Sequence, residues 1–123
     1  MSAKSENDSK PRTILVVEDE YFIASEIALA LEKRGMRVLG PVARLDDALS
    51  ILADSHPSGA VLDVNLRGEM VFSLAAELEA RNISFVFATG YDARAIPERF
   101  RNVPCWEKPF DSKTLAAFLS AMT

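Results

Sequence analysis

Four short apolar runs in this 123-residue chain each end in a polar residue with useful chemistry. Ile14-Leu15-Val16-Val17 runs into Glu18-Asp19, and Ala60-Val61-Leu62 runs into Asp63. Phe85-Val86-Phe87-Ala88 runs into Thr89, and Cys105-Trp106 passes through Glu107 into Lys108-Pro109. Short β-branched or aromatic runs separated by helix-like segments read as buried parallel strands. Ligands of an open parallel sheet bind at the carboxyl ends of its strands. Glu18, Asp19, Asp63, Thr89 and Lys108 are therefore expected to converge on one edge. Three carboxylates, a hydroxyl and an ammonium at one place suit a divalent cation beside a phosphoryl group.

The intervening segments supply the helices. Strand one is predicted over 13–17 and helix one over 20–34, with Gly35 as its stop and Ile23, Ile27, Ala30 and Leu31 as its core stripe. Strand two follows over 37–40. Helix two covers 45–53, with Asp46 and Asp47 placed favourably for its dipole. Strand three spans 60–63, helix three 70–81 and strand four 84–88. Pro97 leaves the segment 92–101 only a short or distorted fourth helix. Strand five spans 104–107, and Asp111 caps a last helix that runs to about residue 121. Alternation of this kind implies right-handed crossovers and a sheet covered on both faces. The expected fold is α/β: a flavodoxin-like, doubly wound, five-stranded parallel sheet of order 2-1-3-4-5 with helices on both faces.

Length fits one core. Residues 1–11 are polar and aperiodic and are expected to form a disordered arm, with residues 12–123 as the folded domain. The only cysteine, Cys105, has no internal disulfide partner, which points to a reducing cytoplasm. No apolar run approaches the roughly 20 residues that span a bilayer. A net charge of −4 without a basic stripe argues against direct nucleic-acid binding.

A carboxylate after a buried strand is a usable nucleophile toward phosphorus, which makes Asp63 the candidate acceptor. Glu18 and Asp19 at the neighbouring strand end crowd it with like charge, and a counter-ion relieves this. Magnesium, which prefers hard oxygen ligands and retains several waters, is the expected cofactor. Asp19 and Asp63 would ligate it directly, with the main-chain carbonyl of Asn65 as a third ligand and Glu18 acting through a water. Lys108 would pair with one phosphoryl oxygen as a point charge, and Thr89 would hydrogen-bond another. Asn65, two residues after Asp63, supplies no acid or base for turnover, so the aspartyl phosphate is expected to persist. Tyr91, two after Thr89, would shield it from water.

Together, Val17-Glu18-Asp19-Glu20, Asp63-Val64-Asn65, Thr89 and Lys108-Pro109-Phe110 resemble the response-regulator receiver domains of two-component signalling. The resemblance spans almost all of residues 12–123. It implies that a histidine kinase transfers phosphate to Asp63, with magnesium bound by Glu18, Asp19, Asp63 and Asn65, and that the signal is relayed to a protein partner. Many receivers carry a switch Tyr or Phe three residues before the lysine, where this chain has Cys105. The run Phe87-Ala88-Thr89-Gly90-Tyr91 is similar to a receiver subgroup named for its Phe-Ala-Thr-Gly signature. That subgroup lacks the usual switch aromatic and often pairs, as stand-alone receivers, with HWE-type histidine kinases. The similarity moves the expected conformational change to Gly90, Tyr91 and the segment that follows. Such a domain is expected to be a monomer or a phosphorylation-dependent dimer, and a signalling module rather than a turnover enzyme.

The remaining residues have plainer readings. His56 is expected in an exposed loop, Cys105 in the core as a small hydrophobe, and Trp106 in packing. Phe22 and Leu29 lie off the core stripe of helix one on a face shared with Glu26 and Lys33, which reads either as a kinase-docking patch or as a surface partly buried under neighbouring loops. Two rival functions are a pseudo-receiver that binds partners without phosphate and a small haloacid-dehalogenase-type phosphatase. The first would be marked by a missing Asp or Lys, and the second by an acid in the place of Asn65.

Overall fold

The computed structural model describes residues 11–90 and 93–123. Most of the arm expected over 1–11, and Tyr91, lie outside the described residues. β1 (Thr13–Val17), β2 (Arg37–Val42), β3 (Gly59–Asp63), β4 (Ser84–Thr89) and β5 (Cys105–Glu107) form one parallel sheet in the order β2-β1-β3-β4-β5. The predicted 2-1-3-4-5 order is the observed one. The helices are α1 (Tyr21–Lys33), α2 (Leu45–Asp54), α3 (Phe72–Ala80) and α4 (Ser112–Met122). Among the described residues, no helix is long and apolar enough to cross a membrane.

Alternate residues of each strand face opposite sides of the sheet. Ile14, Val16, Val61, Val86 and Ala88 pack under α1 and α4, meeting Ile27, Leu31, Leu115 and Leu119. Leu15, Val17, Leu62, Phe85 and Phe87 face the other way, under α2 and α3. The strands are apolar on both faces because both faces are covered, which leaves their ends as the place for polar groups. α1 stops where Gly35 takes φ +83°, so that Gly35 N–H donates to the Glu32 carbonyl and Met36 N–H to that of Leu31. Asp111 caps α4 by accepting from Lys113 N–H at 3.2 Å.

Several boundaries depart from the sequence reading. β2 runs two residues beyond its predicted end, through a bulge opposite β1 at Gly40-Pro41. A Cβ on Gly40 would lie 2.8 Å from the Val42 nitrogen and 3.0 Å from the Val16 carbonyl, so only glycine fits there. The bulge brings the Val42 carbonyl to the Glu18 N–H at 2.9 Å, fixing the first acid beyond β1. Helix three begins at Phe72 rather than at residue 70, because Met70 pairs with Asn65 in a short antiparallel hairpin. The predicted fourth helix is two 3₁₀ turns, Ala93–Ala95 and Glu98–Phe100, separated around Pro97. Cys105 is exposed, contrary to the expected core placement. β5 is a three-residue edge strand, and Cys105 on it lines a shallow groove with Ala93, Ile96 and Phe100 of that 3₁₀ segment.

Candidate functional site

The ends of β1, β3, β4 and β5 surround a cavity of about 400 Å³ lined by Asp19, Glu20, Asp63, Asn65, Thr89 and Lys108, among others. Backbone bonds between adjacent strand ends set this arrangement. Val64 N–H donates to the Ala88 carbonyl at 2.9 Å, and Lys108 N–H to the Thr89 carbonyl at 2.9 Å. The nucleophile candidate, the hydroxyl and the ammonium are therefore fixed to one another through the main chain.

Lys108 holds the acids together. Its Nζ lies 2.9 Å from Glu18 Oε2, 2.7 Å from Glu20 Oε2 and 3.3 Å from Asp63 Oδ2. The side chain is only 8% exposed. Burial alone would pull its pKa down, but the hydrogen bonds to Glu20 and Glu18 and the charge of Asp63 outweigh this and hold it above the ordinary lysine value. Asp63 shows the opposite imbalance. Burial, and then the charge on Glu18, push its carboxyl up to about 8 against the pull of Lys108. Its Oδ1 accepts from Asn65 N–H at 3.3 Å.

Carboxylate oxygens of Glu18, Asp19, Glu20 and Asp63 all lie within 4.8 Å of one another. Glu18 Oε2 accepts from Glu20 N–H at 3.0 Å, whereas its Oε1 is buried without a hydrogen-bond partner. A buried, unpaired carboxylate oxygen is costly. An all-oxygen acidic set with one oxygen unsatisfied, and with Asp63 pushed up by burial and by the charge on Glu18, fits a small hard divalent cation such as magnesium. Asn65 lines the cavity, and its side-chain Oδ1 accepts from Gly68 N–H at 2.6 Å, bracing the hairpin.

The structure thus brings Glu18, Asp19, Asp63, Asn65, Thr89, Gly90 and Lys108 to one sheet edge. It also brings in two residues to which the sequence pattern assigns no role. Glu20 sits at the N-cap of α1, yet its carboxylate reaches Lys108 instead of capping its own helix. Arg67, at the hairpin tip, places Nε 3.6 Å from Asp19 Oδ2. Only the acidic run after β1 hinted at Glu20, and nothing in the local pattern singled out Arg67. Phe22, Glu26 and Leu29 lie apart from this site on α1, with Phe22 and Leu29 exposed at 80% and 54%. Tyr21 is equally uncovered, and a groove between α1 and α4 is lined by Glu26, Leu29, Lys33, Phe110 and Lys113.

No protein-family model matches the chain. The solution structure of SdrG from Sphingomonas melonis Fr1 aligns at 40% identity over 91% of this chain and 96% of that one, with a TM-score of 0.79. A CheY-like response regulator receiver domain from Methylobacillus flagellatus shares the fold at a TM-score of 0.77, with 22% identity over 93% of this chain and all of that one. The sensory transduction protein LytT of Bacillus cereus is 33% identical over 86 residues, covering 68% of this chain. The chain spans 35% of the length of that protein. With a relative 40% identical over 96% of its own length, a shared fold and an acidic cluster beside a strand-end lysine, the chain belongs to the response-regulator receiver family, the signalling modules of two-component systems.

Proposed function

We propose that residues 12–123 form a receiver that takes a phosphoryl group from a histidine kinase onto Asp63, in a magnesium-dependent reaction, and relays the event to a protein partner. The observation that carries this reading is the position of the Lys108 ammonium, bonded at once to Asp63, Glu18 and Glu20 at the mouths of three strands.

Asp19, Asp63 and the Asn65 carbonyl would hold the cation directly and Glu18 through a water, and the bound cation would neutralise charge on the transferring phosphoryl group. Asp63 acts in its ionised form. Its carboxylate oxygen attacks phosphorus, the bond between phosphorus and the kinase histidine nitrogen breaks, and that nitrogen keeps the electron pair and later a proton. The product is an acyl phosphate on Asp63. Lys108 turns from its carboxylate partners to a phosphoryl oxygen, and the Thr89 hydroxyl donates to another. Catalysis of this kind is mostly positioning and charge stabilisation. The loss of Lys108 from Glu18 and Glu20 is what couples chemistry to shape, and Gly90 and Tyr91 carry the change onward. Asn65 offers no proton for hydrolysis, which favours a lasting signal.

The Phe-Ala-Thr-Gly signature favours a kinase of the HWE type, and the uncovered Phe22 and Leu29 beside Glu26 supply a face on which it can dock. Label transfer from an autophosphorylated HWE-type kinase tests this reading. Wild type is expected to gain label with magnesium present, and Asp63→Asn to gain none. Equal labelling of the two would move the acceptor elsewhere.

A further inference from the structure

Arg67 is the cation of this site that the mechanism leaves unused. Lys108 serves Glu18, Glu20 and Asp63, and the guanidinium beside Asp19 belongs to Arg67. The two partners differ in setting: the Arg67 side chain is 81% exposed, whereas Asp19 is 11% exposed. Arg67 is thus a long, solvated arm on the lining of the cavity, with its charge beside a carboxylate that the cation would use. It also sits at φ +55°, a left-handed conformation that strains any residue with a Cβ. Its neighbour Gly68 takes φ +96° without that cost. Glycine at 67 would therefore remove the charge and relieve the turn, whereas alanine would remove the charge and keep the strain.

We propose that Arg67 is a positioning residue that competes with the divalent cation for Asp19, so that loading of the site requires the guanidinium to swing away. Resting on the magnesium-site reading above, this makes Arg67 the setting for cation affinity. An ion pair of this exposure is weak, and the competition is correspondingly modest. Both the lost pair and the repulsion between guanidinium and cation act in the same direction.

Magnesium titration of the full chain, followed through backbone amide NMR shifts, tests the proposal. Arg67→Ala and Arg67→Gln are expected to tighten magnesium binding by about two- to fivefold, and Arg67→Lys to stay close to wild type. Arg67→Gly separates charge from turn geometry: its affinity should match that of Arg67→Ala although its melting temperature rises. A purely structural role predicts affinities that follow the melting temperature instead. Asp19→Asn reports on the underlying site and is expected to weaken binding. If Asp19→Asn weakens binding but Arg67→Ala and Arg67→Gln match or fall below wild type, the Arg67 proposal alone is overturned. If Asp19→Asn binds as wild type does, the cation does not use Asp19, and the site reading falls together with the proposal.

Discussion

Asp63 is the residue whose chemistry is most altered by its surroundings. Burial and the Glu18 charge raise it from 3.8 to about 8 in the metal-free protein. The unfolded chain gives up this proton near 3.8, while the folded protein keeps it to about 8. The folded state therefore binds the extra proton throughout that window, and stability falls as pH rises across it. Asp63→Asn removes this titration. In chelator, urea unfolding should show wild type losing stability from pH 5 to pH 8 while Asp63→Asn stays nearly flat. The variant is expected to be more stable at pH 8 by about 1–2 kcal/mol, because screening through the open cavity mouth keeps the effect below its full linkage value. Parallel pH curves would contradict the assignment. Asp63, Asp19 and Glu18 were legible in the sequence because each follows a buried run. The pairing of Glu20 with Lys108 and of Arg67 with Asp19 was not, because both reach the site from exposed positions, where charged residues follow no pattern.

The elements that frame the site differ in how well pattern predicts them. Strands apolar on both faces announce themselves, and α4 carries its own cap in Asp111. Helix three was read two residues too early because Met70 continues the apolar pattern yet serves in the hairpin with Asn65. The 3₁₀ segment was legible only as a distortion, since Pro97 forbids a regular helix without dictating what replaces it. Side-chain packing replaces the helix. The Phe100 ring stacks on Phe72 at 6.0 Å and meets Phe85 and Phe87 edge-on at 6.3 and 5.9 Å. Phe100 is buried, unlike most of its own segment. Phe100→Ala is expected to cost about 3–4 kcal/mol in denaturant unfolding, the usual loss for a buried aromatic ring. A cost below about 1 kcal/mol would mean that the backbone alone holds this segment against the sheet.

At the scale of the whole molecule, a parallel sheet makes distant residues neighbours. Glu18 and Lys108 are separated by 90 positions and lie 2.9 Å apart because β1 and β5 end on the same edge. The alternation of strands and helices made that convergence legible, while the ion-pair network around Lys108 depends on side-chain reach that no spacing encodes. Cys105 departs from its pattern for a related reason: its run reads as a core strand, but β5 is an edge whose Trp106 packs on Phe118 of α4 while Cys105 lies beside the 3₁₀ turns and stays exposed. The central claim is that this edge accepts a phosphoryl group at Asp63. The most direct test is intact mass after incubation with magnesium and acetyl phosphate, for wild type and Asp63→Asn side by side. The account predicts a gain of one phosphoryl group in wild type and none in Asp63→Asn. A gain that survives in Asp63→Asn, or no gain in folded, magnesium-binding wild type, would contradict it.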